Sequence, residues 1–437
     1  MSSSDASRGR AMLELAAELY PICRSITGDG VRETLRSLRR HLPLEVHEVP
    51  SGTRVLDWTV PAEWNVREAW IASSSGERIV DFRRCNLHVL SYSAPVAPRR
   101  IGVAELREHL HSLPDHPDWI PYRTSYYDER WGFCVTHKQL ESLTDPEYQV
   151  CIDSSLRPGH LTYGELLLPG ETDEEILVST HVCHPSLADD NLSGIAVSVW
   201  LARELAERRA RRYSYRFLYI PGTIGSITWL ARNPEAVRRI RHGLSMTCLG
   251  DERGLTWKRT FTGRAEIDRA AAHVLAHAAD DNEVIDYFPY GYDERQFNSP
   301  GFRLPVGSLM RGRHGRFPEY HTSADDLDLL LPEKLCGALD AVHAIFAALE
   351  GNRRYRSLAP HGEPQLGRRG IYRALGGDGD PAELQLAMLW VLACADGQHD
   401  LLAVAERAGM PFARIRAAAD LLEGHGLLEA VPNDAGA

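Results

Sequence analysis

The sequence predicts an α/β protein: a mostly parallel sheet flanked by helices, interrupted by a β-rich insert and followed by a winged helix-turn-helix. Three observations carry this expectation. Between about residues 160 and 350, apolar strand runs alternate with long helical patterns, as expected where helices join parallel strands. Residues 46–155 lose that alternation and carry short β-like runs with Pro, Gly and many aromatics, among them Trp58, Trp64, Trp70, Tyr122 and Trp131. Near the C-terminus, three helical patterns at 382–394, 399–408 and 412–423 precede a run from Gly424 to Val431 that reads as a short hairpin or wing.

Taken in order, Met12, Leu13, Leu15, Ala16 and Leu19, then Val31, Leu35 and Leu38, recur at helical spacing, with Thr27-Gly28-Asp29-Gly30 as the turn between them. Residues 1–45 therefore read as N-terminal helices, and 46–155 as a separate β-rich module. The α/β domain spans 156–351, with strands at 175–180, 214–220 and 244–249 and helices at 193–210 and 332–350. Asn352-Arg353-Arg354 opens a loose Arg-, Gly- and Pro-containing stretch read as a linker to residue 380. The winged helix occupies 381–437.

Composition narrows the partners. The 437 residues carry 49 Lys+Arg against 60 Asp+Glu, a net charge of −11, which offers no general attraction for phosphate backbones. From 361 to 437 there are six arginines and no lysine against eleven acidic residues, a net −5, and the expected recognition helix has only Arg414 and Arg416. Duplex binding needs clustered cations, so no nucleic-acid partner is expected. The winged helix is assigned to protein contact, either association of subunits as a homo-oligomer or docking of a partner. No stretch reaches the roughly 18–20 apolar residues of a membrane span, and the Ser-rich start lacks the apolar core of a secretory signal. The expected location is cytoplasmic, away from membranes. Eight dispersed cysteines without a CxxC pair are expected as reduced thiols.

The chemistry concentrates at strand ends. His181-Val182-Cys183-His184 and Asp189-Asp190-Asn191 lie just past a predicted strand, where open α/β sheets bind ligands. Imidazole nitrogen and carboxylate oxygen are donors that Zn²⁺ accepts. A second cluster runs from Phe317 to Asp328, with His321 as its natural ligand and Asp325 and Asp326 read mainly as helix-start residues. Asp251, ending another strand, completes a His/Asp/Asp/His set. Arg311 and Arg313 are candidates for holding a substrate carboxylate by a bidentate fork. The aromatics at 122–133 are assigned to core packing. Cys183, between two histidines, is read as a buried thiol, since it has no visible base and orienting group.

These motifs resemble a known family. Asp189-Asp190-Asn191-Leu192-Ser193-Gly194 is similar to the bridging-aspartate motif of the co-catalytic zinc aminopeptidases, the family of bacterial leucyl aminopeptidases, glutamate carboxypeptidase and glutaminyl cyclase. Tyr320-His321-Thr322 followed by Asp325 resembles that family's final histidine motif, and Asp293 resembles part of its late Ser-Asp-His segment. The resemblance implies one or two Zn²⁺ held by His181, Asp190 as the bridge, Asp251 and His321, and hydrolysis of a terminal amide in a peptide or amino-acid conjugate. The whole chain, from about 10 to 432, further resembles bacterial aminopeptidase-like proteins of unassigned function with a β-rich insert and a winged helix. This resemblance implies that the N-terminal helices of residues 1–45 belong to the α/β domain and that the module of residues 46–155 is inserted in it. Matching stretches include Tyr20 to Gly28, Asp57 to Pro61, Trp131 to Cys134 and Leu366 to Gly370.

Two departures follow from the same match. Where the family carries a Glu-Glu pair, one a general base and one a metal ligand, this chain has Gly222 and Thr223. The family's His-x-Asp becomes His181-Val182-Cys183, so His184 is expected to compensate as an extra ligand or as a partner to one. A base must come from elsewhere, with Glu319 preferred over Glu294 and Glu252. A protein that has lost catalysis and binds a ligand or partner is the alternative reading.

Overall fold

The computed structural model describes residues 3–371 and 381–431. It divides into two compact units, residues 1–263 with 285–339, and residues 264–284 with 340–437.

The first unit is built on a large sheet. Its strands run in the order Glu45–Pro50, His160–Leu168, Ser214–Ile220, Glu175–His181, Ile240–Met246, Val306–Met310 and Thr256–Lys258. The four from Ser214–Ile220 to Val306–Met310 are mutually parallel, whereas His160–Leu168, Glu45–Pro50 and Thr256–Lys258 pair antiparallel. The sheet is thus mixed, parallel only at its centre. The parallel strands are buried along their whole length, apart from Arg241, which explains their continuous apolar runs. Register places His181 opposite Ile220 and Ser179 opposite Ser245, so the segments after these strands emerge at one edge. At the opposite end, Arg216 forks onto Glu175 (2.5 and 2.7 Å) and also bonds Glu165, tying three neighbouring strands together.

The N-terminal helices are Ser3–Leu19 and Asp29–Leu38, and the predicted apolar positions Met12, Leu15, Leu19, Val31, Leu35 and Leu38 are all buried. The insert forms a four-stranded antiparallel sheet in the order Arg78–Asp81, Glu63–Ala72, Glu147–Arg157, Val96–Gly102. Its limits differ from expectation. Glu45–Pro50, all but its first residue inside the expected insert, belongs to the large sheet, and Glu147–Arg157 runs past residue 155. Trp64, Ile71, Val80 and Ile152 of the insert share one apolar cluster with Leu177, Ile220 and Val306.

In the second unit, helices Pro381–Cys394, Leu401–Ala408 and Phe412–Gly424 follow the three predicted patterns. The wing is a three-stranded sheet, Asp396–Asp400, Arg354–Ser357, Leu428–Val431. Arg354–Ser357 was read as linker because its alternating arginines look solvated; it pairs on both sides, and only Tyr355 turns inward. The rest of the expected linker at 372–380 lies outside the described residues. Helix Glu266–His277 belongs to this unit as well, with Arg269 bonded to Asp400 (2.9 Å) and Glu406 (2.9 Å). Arg414 pairs with Glu383 (2.7 Å), while Arg416 pairs with Asp420 (2.6 Å) and donates to Gly351 O (2.8 Å).

Candidate metal centre

Strand Glu175–His181 ends by delivering His181 to the sheet edge, and the loop that follows folds back over it. Asn191 sets this fold by donating from Nδ2 to Thr180 Oγ1 (2.7 Å) and to the carbonyls of His181 (3.2 Å) and Met246 (3.3 Å). Gly194 has to lack a side chain here, because a Cβ would collide with Asn191 Oδ1 and lie 2.8 Å from Met246 O. Arg24, from the segment Tyr20 to Gly28, is buried and donates from Nε to His184 O (2.8 Å), and Ser186 Oγ donates to Tyr20 O (2.8 Å).

The result is a carboxylate ringed by imidazoles. Asp190 Oδ1 lies 2.8 Å from His181 Nε2, while Asp190 Oδ2 lies 3.3 Å from His184 Nδ1 and 3.0 Å from His321 Nε2. His181 and His184 bring their nitrogens within 3.2 Å of one another. One ligand atom from each of His181, His184 and Asp190 falls within 4.8 Å of the others. His321 arrives from 131 positions further along the chain, its backbone in the left-handed region (φ 58) and its carbonyl held by Tyr122 N–H at 2.7 Å. Tyr122, from the insert, also packs edge-on against both His184 and His321.

Electrostatics match the geometry. Full burial opposes charge on Asp190, yet His184, His181 and His321 hold it well below the usual carboxylate range. Burial pulls His181 down to about 4 and lowers His321 as well, so both imidazoles are neutral ligands near pH 7. Asp190 Oδ2 and His321 Nε2 are both buried and face one another at 3.0 Å. Zinc fits this donor set: neutral imidazoles and an ionised carboxylate that converge in one buried cluster.

The remaining candidates fall differently. Asp251 is buried, but its carboxylate turns to Arg253, accepting the backbone N–H (2.8 Å) and the guanidinium (2.6 Å); it does not join the imidazole cluster. Arg311 is not a substrate fork. It is buried and donates to the carbonyls of Leu249, Arg253 and Lys334. Arg313 lines a cavity treated below. Glu319 Oε2 lies 3.6 Å from Arg253 and makes no hydrogen bond. Glu294 is paired with Lys258 at 2.7 Å, and Glu252 is exposed.

Asp325 departs from the capping expectation. Its two oxygens accept the backbone N–H groups of Asp189 (2.6 Å) and Asp190 (3.0 Å), so it clamps the metal loop, whereas Asp326 caps the short turn Leu327–Leu329. Gly222 also has a reason. A side chain there would overlap the ring of Tyr292, whose hydroxyl donates to Gly222 O (3.0 Å). Tyr292 therefore fills the space that a side chain at position 222 would take. Burial pushes the Cys183 thiol up to about 12, consistent with an inert packing role.

Comparison with known proteins gives the family and the fold. Residues 13–352 match a domain of unknown function, DUF4910. The chain belongs to that family. Residues 353–430 match a winged helix-turn-helix family. A provisionally named polysaccharide biosynthesis protein with an aminopeptidase-like domain, from Clostridium acetobutylicum, is 50% identical over 414 residues, covering 95% of each chain. A crystal structure of a provisionally assigned peptidase from Clostridium acetobutylicum superposes with a TM-score of 0.93 at 48% identity, over 98% of each chain. The zinc aminopeptidase of Bacillus subtilis shares the fold at 14% identity, with a TM-score of 0.56 over 78% of this chain and 94% of its own. DUF4910 here is thus an aminopeptidase-like fold with a winged helix appended. No helix among the described residues is long and apolar enough to cross a membrane.

Proposed function

We propose that this chain is a zinc-dependent hydrolase of a terminal amide bond in a peptide or amino-acid conjugate. The observation that carries the reading is the buried Asp190 carboxylate faced by three imidazole nitrogens at 2.8–3.3 Å. His181, His184, Asp190 and His321 would hold one or two zinc ions. Zinc bound there supplies Lewis acidity toward an amide carbonyl and toward water.

The chain's own groups do the rest. Asp325 and Asn191 hold the loop so that Asp190 meets the imidazoles in one geometry. Tyr122 excludes water from the insert side by packing on two of the rings. We assign proton acceptance to Glu319 Oε2, two residues before His321 and free of hydrogen bonds; a positioned base contributes about 10²–10⁴-fold. The name of the Clostridium relative, a polysaccharide biosynthesis protein, adds amide-linked sugars to the substrates worth testing.

The second reading, a binding protein without catalysis, is favoured by one observation: the Tyr292 ring stands where a side chain at position 222 would project, leaving no room for an acidic group there. Metal content per chain, measured on tag-free wild type, His181→Ala and His321→Ala, together with an amide panel including amino-sugar amides, separates the two. About one or two zinc per chain, lost in the variants, with turnover that falls in Glu319→Gln, is the expected result. Zinc without turnover leaves the binding reading, and no zinc even after incubation with the metal refutes both the metal site and the hydrolase. We further propose that the winged helix makes protein contacts, in a homo-oligomer or with a partner, with no duplex binding in a fluorescence anisotropy titration.

A further inference from the structure

A cavity of about 250 Å³ lies next to the metal centre. Phe288 and Tyr290, both more than half exposed, form its apolar wall, and Lys258, His314, Arg313 and Arg316 bring cationic or donor groups to it. Asp286 also lines it, with its carboxylate 3.7 Å from Arg259.

Two of these groups are buried and fixed. Lys258, 3% exposed, donates to Tyr290 O (2.8 Å) and to Glu294 Oε1 (2.7 Å). These partners pin its ammonium at the cavity floor and leave one of its three donors over. His314, 7% exposed, has an Nε2 with no hydrogen-bond partner among the described residues. A buried polar atom without a partner costs about 1–3 kcal/mol, so it calls for a ligand or an ordered water.

Position ties the cavity to the chemistry. The His314 ring lies 6.1 Å from Tyr292 and 6.1 Å from Tyr320, one on each side. Tyr292 in turn contacts the His181 ring at 4.2 Å, and Tyr320 stacks on His321 at 3.9 Å. The cavity therefore lies within two ring contacts of the imidazoles around Asp190. A molecule with its amide at the centre would place its next few atoms in the cavity.

We propose that this cavity binds an anionic group, a carboxylate or a phosphate, carried by the substrate close to its scissile amide. The proposal rests on the hydrolase reading and narrows its substrates to acidic conjugates. The apolar wall of Phe288 and Tyr290 strengthens each charge contact by limiting solvent, and Arg316, exposed at the rim, can present a two-pronged fork to either anion.

The test uses full-length protein and calorimetric titration with glutarate, inorganic phosphate and uncharged glutaramide, on zinc-loaded wild type and Arg316→Gln and on His181→Ala as the metal-deficient control. Glutarate or phosphate is expected to bind and glutaramide not to. Affinity should fall about tenfold in Arg316→Gln and again between roughly 50 and 500 mM salt, and survive in His181→Ala. Glutarate without phosphate identifies a carboxylate, and the converse a phosphate. Anion binding that survives Arg316→Gln but vanishes in His181→Ala belongs to the metal centre and overturns the proposal. So does equal binding of glutaramide, or amide turnover that is blind to acidic groups; that last result leaves the hydrolase reading standing. Anion binding to the cavity without amide turnover refutes the hydrolase and the substrate claim together, while leaving the anion site.

Discussion

Asp325 offers the sharpest test of how the centre is built. Replacing it with Ala strips the acceptors from two buried N–H groups, those of Asp189 and Asp190. Each unsatisfied buried donor costs about 1–3 kcal/mol, a gross loss of about 2–6 kcal/mol. Part of that is offset, because burial and the neighbouring Asp189 carboxyl hold Asp325 well above its usual range, so keeping it ionised is itself unfavourable. The expected net destabilisation is about 2–4 kcal/mol. Freed of its clamp, the loop holds Asp190 less firmly, and loss of such an orienting group typically lowers metal affinity about 10–100-fold. Urea unfolding of the metal-free protein at pH 7.5 reads the first quantity, and zinc competition against a chromophoric chelator reads the second. Asp325→Asn, which keeps one acceptor oxygen, should fall between wild type and Asp325→Ala. Asp326→Ala removes only a cap on a single short turn and should cost about 1 kcal/mol without moving zinc affinity. If Asp325→Ala matched Asp326→Ala in both assays, the clamp would be refuted and the capping role restored.

Other outcomes follow from the same contacts. In metal-free protein, His181 titrates near 4 when folded and near its ordinary 6.5 when unfolded, because burial opposes its charge; the unfolded chain takes up the proton first as pH falls. Its share of stability, about 3 kcal/mol, is present above roughly pH 6.5 and lost by about pH 4. Urea midpoints across that window should fall more steeply in wild type than in His181→Asn, with His242, lowered by burial to about 3, contributing equally to both; identical slopes would contradict the assignment. Gly222→Ala should destabilise by about 1–3 kcal/mol through overlap with the Tyr292 ring. Gly222→Glu should not raise amide turnover, and any gain would show that Tyr292 yields the space. Arg311→Ala should lower stability by about 3–5 kcal/mol, since three backbone carbonyls lose a buried charged donor. A change in KM with normal stability would instead return Arg311 to the substrate.

What the sequence disclosed was local. Strand Glu175–His181 is centred on the apolar run Ile176-Leu177-Val178 and ends on His181, so both the element and the candidate ligand could be read from neighbouring letters. The same holds for the helices of the winged domain, whose apolar spacing is complete within each segment. What escaped depends on partners distant in the chain. Asp325 sits in a Thr-Ser-Ala-Asp-Asp run that looks like a helix start, and its true partners lie 135 and 136 residues upstream. Arg24 reaches a carbonyl 160 residues away. Tyr122 looked like one more core aromatic because nothing beside it points to His184 or His321. Asp251 misled for the opposite reason: it ends a strand as a ligand should, but Arg253, two residues on, captures it.

The same long-range contacts bear on when the centre forms. His184 is anchored from residue 24, Asp190 from residue 325 and His321 from residue 122, so the ligand set exists only after loops spanning most of the first unit have closed. Contacts of such sequence separation form slowly and late. Under the proposed function, metal would therefore select a chain that has already folded instead of nucleating it, and would raise stability by mass action as its free concentration exceeds its dissociation constant. Chain released during synthesis should pass through a stage with its core largely buried and its metal sites unassembled. In that interval zinc supply would govern how long the finished protein persists, leaving its rate of folding unchanged.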